Sequence, residues 1–182
     1  ADAAAAGGGA VTCKQLTNAD VQPVLVDTIT SVAVTAAGTN SSGQQCVFSA
    51  DAGGAIDVLV LAKADAANAY AGALQAQTDG AVDVPGIGDK ASRDKGDEQI
   101  SSIKGNVYCS VTLGSAGDVP GIGALEAAPG GTSNIPDIDA AAAAAALGTI
   151  CNRIFGSGNT TPDLSLLTAA ALAASASAAT TN

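Results

Sequence analysis

Four cysteines, Cys13, Cys46, Cys109 and Cys151, are the residues of this chain best suited to chemistry, and they stand in a sequence without histidine, methionine or tryptophan. Their spacing decides which chemistry that is. No two of them form a CxxC pair, which argues against a zinc site and against a thioredoxin-like couple. An even count without such a pair points to two structural disulfides of an exported protein. Reactive thiols need a neighbouring base or cation, and the lack of histidine weighs against them. Haem attachment through CxxCH is absent for the same reason.

Carboxylates are plentiful, but acid–base work also needs side chains that position a substrate. Only four aromatic residues, Tyr70, Tyr108, Phe48 and Phe155, are available for that. No GxSxG, P-loop or GxGxxG context occurs. The inventory points away from an enzyme, names no catalytic residue and implies no cofactor. Oxygen-rich stretches can hold calcium, and Asp79, Asp83, Asp89, Asp94, Asp97 and Glu98 crowd one segment. They lack the EF-hand order, and Lys90, Arg93 and Lys95 interleave them, so the segment reads as a solvated charged loop and not as a metal site. A net charge of -10, from 7 basic and 17 acidic residues, opposes binding to nucleic acid or to anionic membrane surfaces.

The elements that must carry the cysteines can be read from local pattern. Thr17 caps a short helix, with Asp20 completing an approximate capping box and Pro23 ending it. Residues 28–36 are rich in β-branched side chains, with Val32, Val34 and Ala36 on one face. They pair in a hairpin with residues 44–50 across the Gly38–Gly43 turn. Residues 56–61, an apolar run, suit a central strand buried on both faces. Asp65 is placed to cap a helix reaching about Gln77, with Ala66, Tyr70 and Leu74 in a stripe. Beyond the charged loop, residues 98–104 and 106–113 form two strands joined at Gly105 and Asn106. In the second of these strands Val107, Cys109, Val111 and Leu113 point one way.

After a long Gly/Pro segment at 115–136, a helix runs from Pro136 or Asp137 to about Phe155, placing Leu147, Ile150, Cys151 and Ile154 on one stripe. A Gly-Ser hinge follows, and Thr161, Pro162 and Asp163 start a last helix. Its apolar residues Leu164, Leu166, Leu167 and Leu172 are candidates for assembly contacts. No run of about twenty apolar residues is present, so no transmembrane segment is expected. There is also no charged n-region followed by an apolar h-region, so an exported chain is expected to have lost its signal peptide already.

Positions now separate the three possible pairings of four cysteines. Cys13 precedes the first helix and Cys46 sits on an early strand beside Phe48. Cys109 and Cys151 both fall on core faces late in the chain. The expected bridges are therefore Cys13–Cys46 and Cys109–Cys151, closing loops of roughly thirty to forty residues worth roughly 3–4 kcal/mol each. Such staples matter here, because hydrophobic residues make up 47% of the chain but aromatics only 2%. Much of the apolar content is alanine, which buries little surface.

One hexapeptide recurs. Asp83-Val84-Pro85-Gly86-Ile87-Gly88 repeats letter for letter at residues 118–123. Pro85-Gly86 and Pro120-Gly121 suit type II turns, since proline presets φ and glycine accepts a positive one. Asn40 and Asn159 head N-glycosylation triplets, a weak signal of surface exposure.

Several of these segments together carry a resemblance. They are Cys13-Lys14-Gln15-Leu16-Thr17 leading to Val21, Cys46-Val47-Phe48 opening a strand, and the helix around Tyr70. To these are added Gly86-Ile87-Gly88-Asp89-Lys90-Ala91, the hairpin Ile103-Lys104-Gly105-Asn106-Val107 and the late alanine-rich helix. Over residues 11–155 this order resembles the exported lipoprotein and sensor-type domains common in actinobacteria. The resemblance implies an α+β domain, an antiparallel β-sheet packed against helices, outside the cytoplasmic membrane and, as for most of that family, without known activity. The expected organisation is a flexible Ala/Gly-rich arm at 1–10, a disulfide-stapled domain at 11–155, and a hinge with a helical tail at 156–182.

The function expected is that of a secreted or cell-surface structural or binding protein that assembles with itself, or with another cell-surface protein, through its tails. Assembly in a head-to-tail manner would yield a fibre. The alternative is an extracellular carrier or sensor for an apolar or peptidic ligand, with a pocket between sheet and helices lined by Val, Ile and Leu.

Overall fold

The computed structural model describes residues 12–24, 28–51, 55–77, 80–94, 99–113 and 137–156. Within them, three stretches of alternating or continuous apolar residues fold back on one another as β1 (Ile29–Ala37), β2 (Gly43–Ala50) and β3 (Ala55–Ala62). A second meander comprises β4 (Ala81–Asp83), β5 (Lys90–Asp94), β6 (Gln99–Lys104) and β7 (Val107–Leu113). Strands β3 and β7 join the two, giving a seven-stranded antiparallel sheet in the order β1-β2-β3-β7-β6-β5-β4. Helix α2 (Lys63–Ala76) carries the chain from the centre of the sheet to its far side. With α1 (Asn18–Val21) and α3 (Asp137–Ile154) it completes an α+β fold.

Register assigns every strand residue to one of two faces. Val58 lies opposite Cys46 on one side and Val111 on the other, while Val60 lies opposite Cys109. This face is covered by α3, with Leu147, Ile150 and Cys151 buried in a core that includes Phe48, Ile56 and Ile100. Val21 and Val24, from the amino-terminal segment, close the same core. On the opposite face α2 buries Ala66 against Leu61 and Tyr108 in a smaller cluster. Burial of β3 on both faces holds only toward its end. Ile56, Val58 and Val60 are fully buried in the core cluster that α3 joins, and Leu61 in the cluster beneath α2, but Asp57 and Leu59 are half-buried.

Two further expectations need correction. The segment read as a solvated charged loop contains two strands, β4 and β5, and Arg93 in the second is 2% exposed. Arg93 lies opposite Val82 in the β4–β5 ladder, so pairing to a neighbouring strand overrides the polar composition of the segment. Its Ser92 extends a row of directly paired serines, Ser92, Ser101 and Ser110, across β5, β6 and β7. Gln77 Nε2 donates to Ser92 Oγ at 3.1 Å and Gln99 Nε2 to Ser110 Oγ at 3.3 Å, while Ser101 Oγ and Tyr108 Oη share a bond of 3.1 Å. These bonds satisfy hydroxyls that would otherwise be costly to bury.

Asp65, expected to cap a helix, lies inside the first turn of α2, and Ala62 occupies the N-cap. Its carboxylate reaches across to the β1–β2 turn. The Thr39 N–H donates to Oδ2 at 2.7 Å and the Thr39 hydroxyl to Oδ1 at 2.9 Å, and the Ser42 hydroxyl donates to Oδ2 as well. This clasp binds the hairpin to α2. In the short α1, by contrast, Asp20 behaves as the capping-box pattern requires, accepting from the Thr17 N–H at 2.7 Å and its hydroxyl at 2.9 Å. The stripe on α2 is only partly a core stripe: Ala66 is buried, yet Leu74 is 40% exposed. Helix α2 passes over β3, β7 and β6, and Leu74 lies on its last turns, off the buried cluster.

Close backbone packing requires a glycine at position 43 of the hairpin. A Cβ at Gly43 would lie 1.9 Å from the Val60 carbonyl oxygen. Gly43→Ala is therefore expected to lower stability by about 1–3 kcal/mol, the usual cost of forcing atoms into filled space, read as a fall in the urea midpoint with disulfides intact.

Hydrogen bonds from Ser42 and then Thr39 stabilise the charged form of Asp65 and hold its pKa below the ordinary carboxylate value. The folded pKa is the depressed one. Its contribution is thus complete at neutral pH and is lost as pH falls through the folded value. Asp65→Asn should melt at a lower temperature than the wild-type protein at pH 7, and the two melting temperatures should converge as the pH is taken below about 4.

Candidate functional site

The four cysteines are all consumed by structure. Cys13–Cys46 pins the amino-terminal segment across β2 with a Cα separation of 6.3 Å, and Cys109–Cys151 ties β7 to α3 at 5.6 Å. Both pairings are the ones expected from the sequence. Among the described residues there is no free cysteine and no group of three or more side chains able to hold a metal ion.

The first copy of the repeated hexapeptide proves to be a clasp. Gly86 adopts φ 84 at the centre of the turn. Asn152, on α3, reads both sides of it: its Nδ2 donates to the Gly86 carbonyl at 2.9 Å and its Oδ1 accepts from the Gly88 N–H at 3.1 Å. Asp89 continues the connection, its N–H donating to the Ile103 carbonyl at 2.9 Å and its Oδ2 accepting from the Gly105 N–H at 2.8 Å. Ile87 is buried between the turn and α3. The second copy, with Pro120 and Gly121, lies outside the described residues, as do Leu164, Leu166, Leu167, Leu172 and Asn159. Asn40 is exposed on the β1–β2 turn with φ 52, and the Ser42 hydroxyl of its triplet is engaged by Asp65.

Two features of the described surface could meet another molecule. A cleft of about 530 Å³ opens beside α2 and the clasp, with Tyr70, Leu74 and Pro85 on its apolar side and Asp83, Asp89 and Lys90 on its polar side. It mixes apolar and charged walls, unlike the Val/Ile/Leu-lined pocket expected from the sequence.

The other feature is β1. It is an edge strand of nine residues, ITSVAVTAA, with neither charge nor proline, and all but its first and last residues are exposed. Val32 and Val34 are 42% and 43% exposed, and with Leu74 they make up the exposed large hydrophobics of the described residues. They share the face of Phe48 and Cys46, which lie directly opposite them on β2 and are buried. Their exposure is a matter of cover. Helix α3 passes over β6 and β7, and no described helix extends the layer as far as β1. The alternation of Val32, Val34 and Ala36 signalled a strand with one apolar face. What no sequence signal reported is that this face stays open.

Comparison with known proteins gave no match to any family model, to any curated protein or to any solved structure.

The clasp makes a prediction that magnitudes can decide. A Cβ at Gly148 of α3 would lie 2.7 Å from Ile87 Cγ1 and 2.9 Å from Ile100 Cδ1. Gly148→Ala gains about 1 kcal/mol of helix propensity against about 1–3 kcal/mol of overpacking, so a net loss is expected. Placing the same change in an Ile87→Ala background should relieve the part of the clash made with Ile87 and leave the contact with Ile100, so the cost of Gly148→Ala should fall without vanishing, a difference that a double-mutant cycle by chemical denaturation measures.

Proposed function

We propose that this chain is an extracytoplasmic structural or binding protein, without catalytic activity, that assembles with copies of itself. The observation that carries this reading is β1, a long, uncharged strand edge with two exposed valines. Natural proteins usually blunt such edges with charge, proline or a covering element, because open backbone N–H and C=O groups are templates for pairing with another chain. Two disulfides in a chain of this size suit an oxidising compartment outside the cytoplasm. Among the described residues no helix is long and apolar enough to cross a membrane. The resemblance to exported lipoprotein and sensor-type domains points to the same compartment.

In this reading the carboxy-terminal segment, with Leu164, Leu166, Leu167 and Leu172, supplies a second contact that carries assembly beyond a pair of chains. Two different contacts per subunit are what a fibre requires, since a single self-complementary one closes on itself.

Sedimentation velocity of the full chain over a wide concentration range tests the reading. Reversible association is expected, and a protein that stays monomeric at several hundred micromolar would overturn it. Deleting residues 156–182 should leave any association short of fibres; fibres that still grow from the shortened chain would remove the tail from the scheme.

A second reading is favoured by the cleft beside α2. Its combination of Tyr70 and Leu74 with Asp83, Asp89 and Lys90 suits a carrier or sensor for a small peptidic ligand. Native mass spectrometry of freshly isolated protein separates the two readings: a co-purifying small molecule supports the carrier, and a concentration-dependent oligomer supports self-assembly.

A further inference from the structure

We propose that β1 pairs antiparallel with β1 of a second copy about a two-fold axis at Val34, joining two seven-stranded sheets edge to edge. The inference rests on the self-assembly reading and supplies its first contact: the surface, the partner and the register.

Register is set by an irregularity in β1. Its pairing with β2 shifts between Ile29 and Ser31, leaving Thr30 as an extra residue, and runs without interruption from Ser31–Ser49 to Ala37–Gly43. A bulge locally twists an edge and disrupts the ladder, so the stretch able to accept a new strand is 31–37. The midpoint of that stretch is Val34. A two-fold axis there sets Val34 against Val34, Val32 against Ala36, Ala33 against Thr35 and Ser31 against Ala37.

The self-match is what commits the surface to a second copy. Every opposed pair is neutral, so a chain with net charge -10 meets itself along this line without facing carboxylates. On the face shared with Cys46 and Phe48, the valines of the two copies form one continuous cluster, because side chains directly opposite and diagonal across an antiparallel pair lie within reach. Strand β1 is exposed along both faces, so a second sheet can approach in plane without displacing a helix. The same patch meeting itself about a two-fold is an isologous contact and closes as a dimer. A single seven-residue strand edge is shorter than the contacts of a standard stable interface of ~1,200 Å² or more, so the dimer belongs with the small, reversible contacts.

All native cysteines are in disulfides, so a single introduced cysteine reports cleanly. In the full chain, Val34→Cys should cross-link to covalent dimer under mild oxidation at roughly 100 µM protein, and Leu74→Cys, equally exposed on the other side of the sheet, should not. Val34→Lys sets two ammonium groups against each other and should weaken association at least about tenfold at low salt, while Val34→Thr should leave it intact. Val34 is 43% exposed, so these variants should keep the wild-type melting temperature within a few degrees.

Association that survives Val34→Lys unchanged, with no Val34→Cys cross-link, would overturn the β1 pairing and leave self-assembly standing through another surface. A full chain that remains monomeric would overturn both. Failure of the Val34→Cys thiol to react with a maleimide in that monomer would place a segment of the same chain over β1.

Discussion

Strands β3 and β7 lie far apart in sequence, and their antiparallel pairing from Ile56–Leu113 to Ala62–Val107 is the constraint on which the other contacts depend. Without it there are two separate meanders, each with a bare edge. With it, Val60 stands opposite Cys109, and the face of β7 that carries Cys109 becomes the floor beneath α3. Such a non-local pairing bears the entropy of closing a long loop before it gains anything. The Cys109–Cys151 bridge acts on the next segment, restricting residues 109–151 in the unfolded ensemble and holding α3 on the floor that this pairing creates. Aromatic residues contribute little, since Phe48 and Tyr108 are the only fully enclosed rings among the described residues.

Once that seam is in place, the cover on each face follows from where the helices can reach. Helix α3 is anchored over β7 by its disulfide and over the 85–89 turn by Asn152. Helix α2 is anchored at its start, where Asp65 holds the β1–β2 turn. The Asn152 anchor holds α3 toward the β4 side of the sheet, while Asp65 ties only the start of α2 to the β1–β2 turn and leaves residues 30–36 of β1 uncovered. Strand β1 is left as an edge whose backbone has one partner strand and whose two faces are open. The clasp and the open edge therefore have one origin, a sheet wider than the helices laid on it.

Much of this was legible in the residues. The alternation in Val107, Cys109, Val111 and Leu113, the i, i+3, i+4 spacing of Leu147, Ile150 and Cys151, and the turn signals between strands each report a local period. Local periods are what backbone geometry imposes directly. The Cys109–Cys151 bridge was accessible by the same route, because the core face of each cysteine could be read from its own element, and Cys13–Cys46 followed from the early position of both cysteines in the chain. Arg93 was not. A polar, charged segment has the composition of a loop, and it became strand β5 because β4 and β6 offered ladders on both sides. Asp65 was misread for a related reason: its hydrogen-bond partners, Thr39 and Ser42, come from a hairpin that is distant in sequence and adjacent only in the fold.

The sequence by itself determined the kind of most elements, the faces on which Cys109 and Cys151 sit and the α+β class, since these depend on periods of two and 3.6 residues within short windows. Tertiary structure alone decided which faces would be covered. Val32, Val34 and Ala36 carry the alternation of a strand with one apolar face, and nothing in that alternation says whether a helix will cover the face. That is settled by strand order and by the reach of α2 and α3, and both are properties of the assembled sheet.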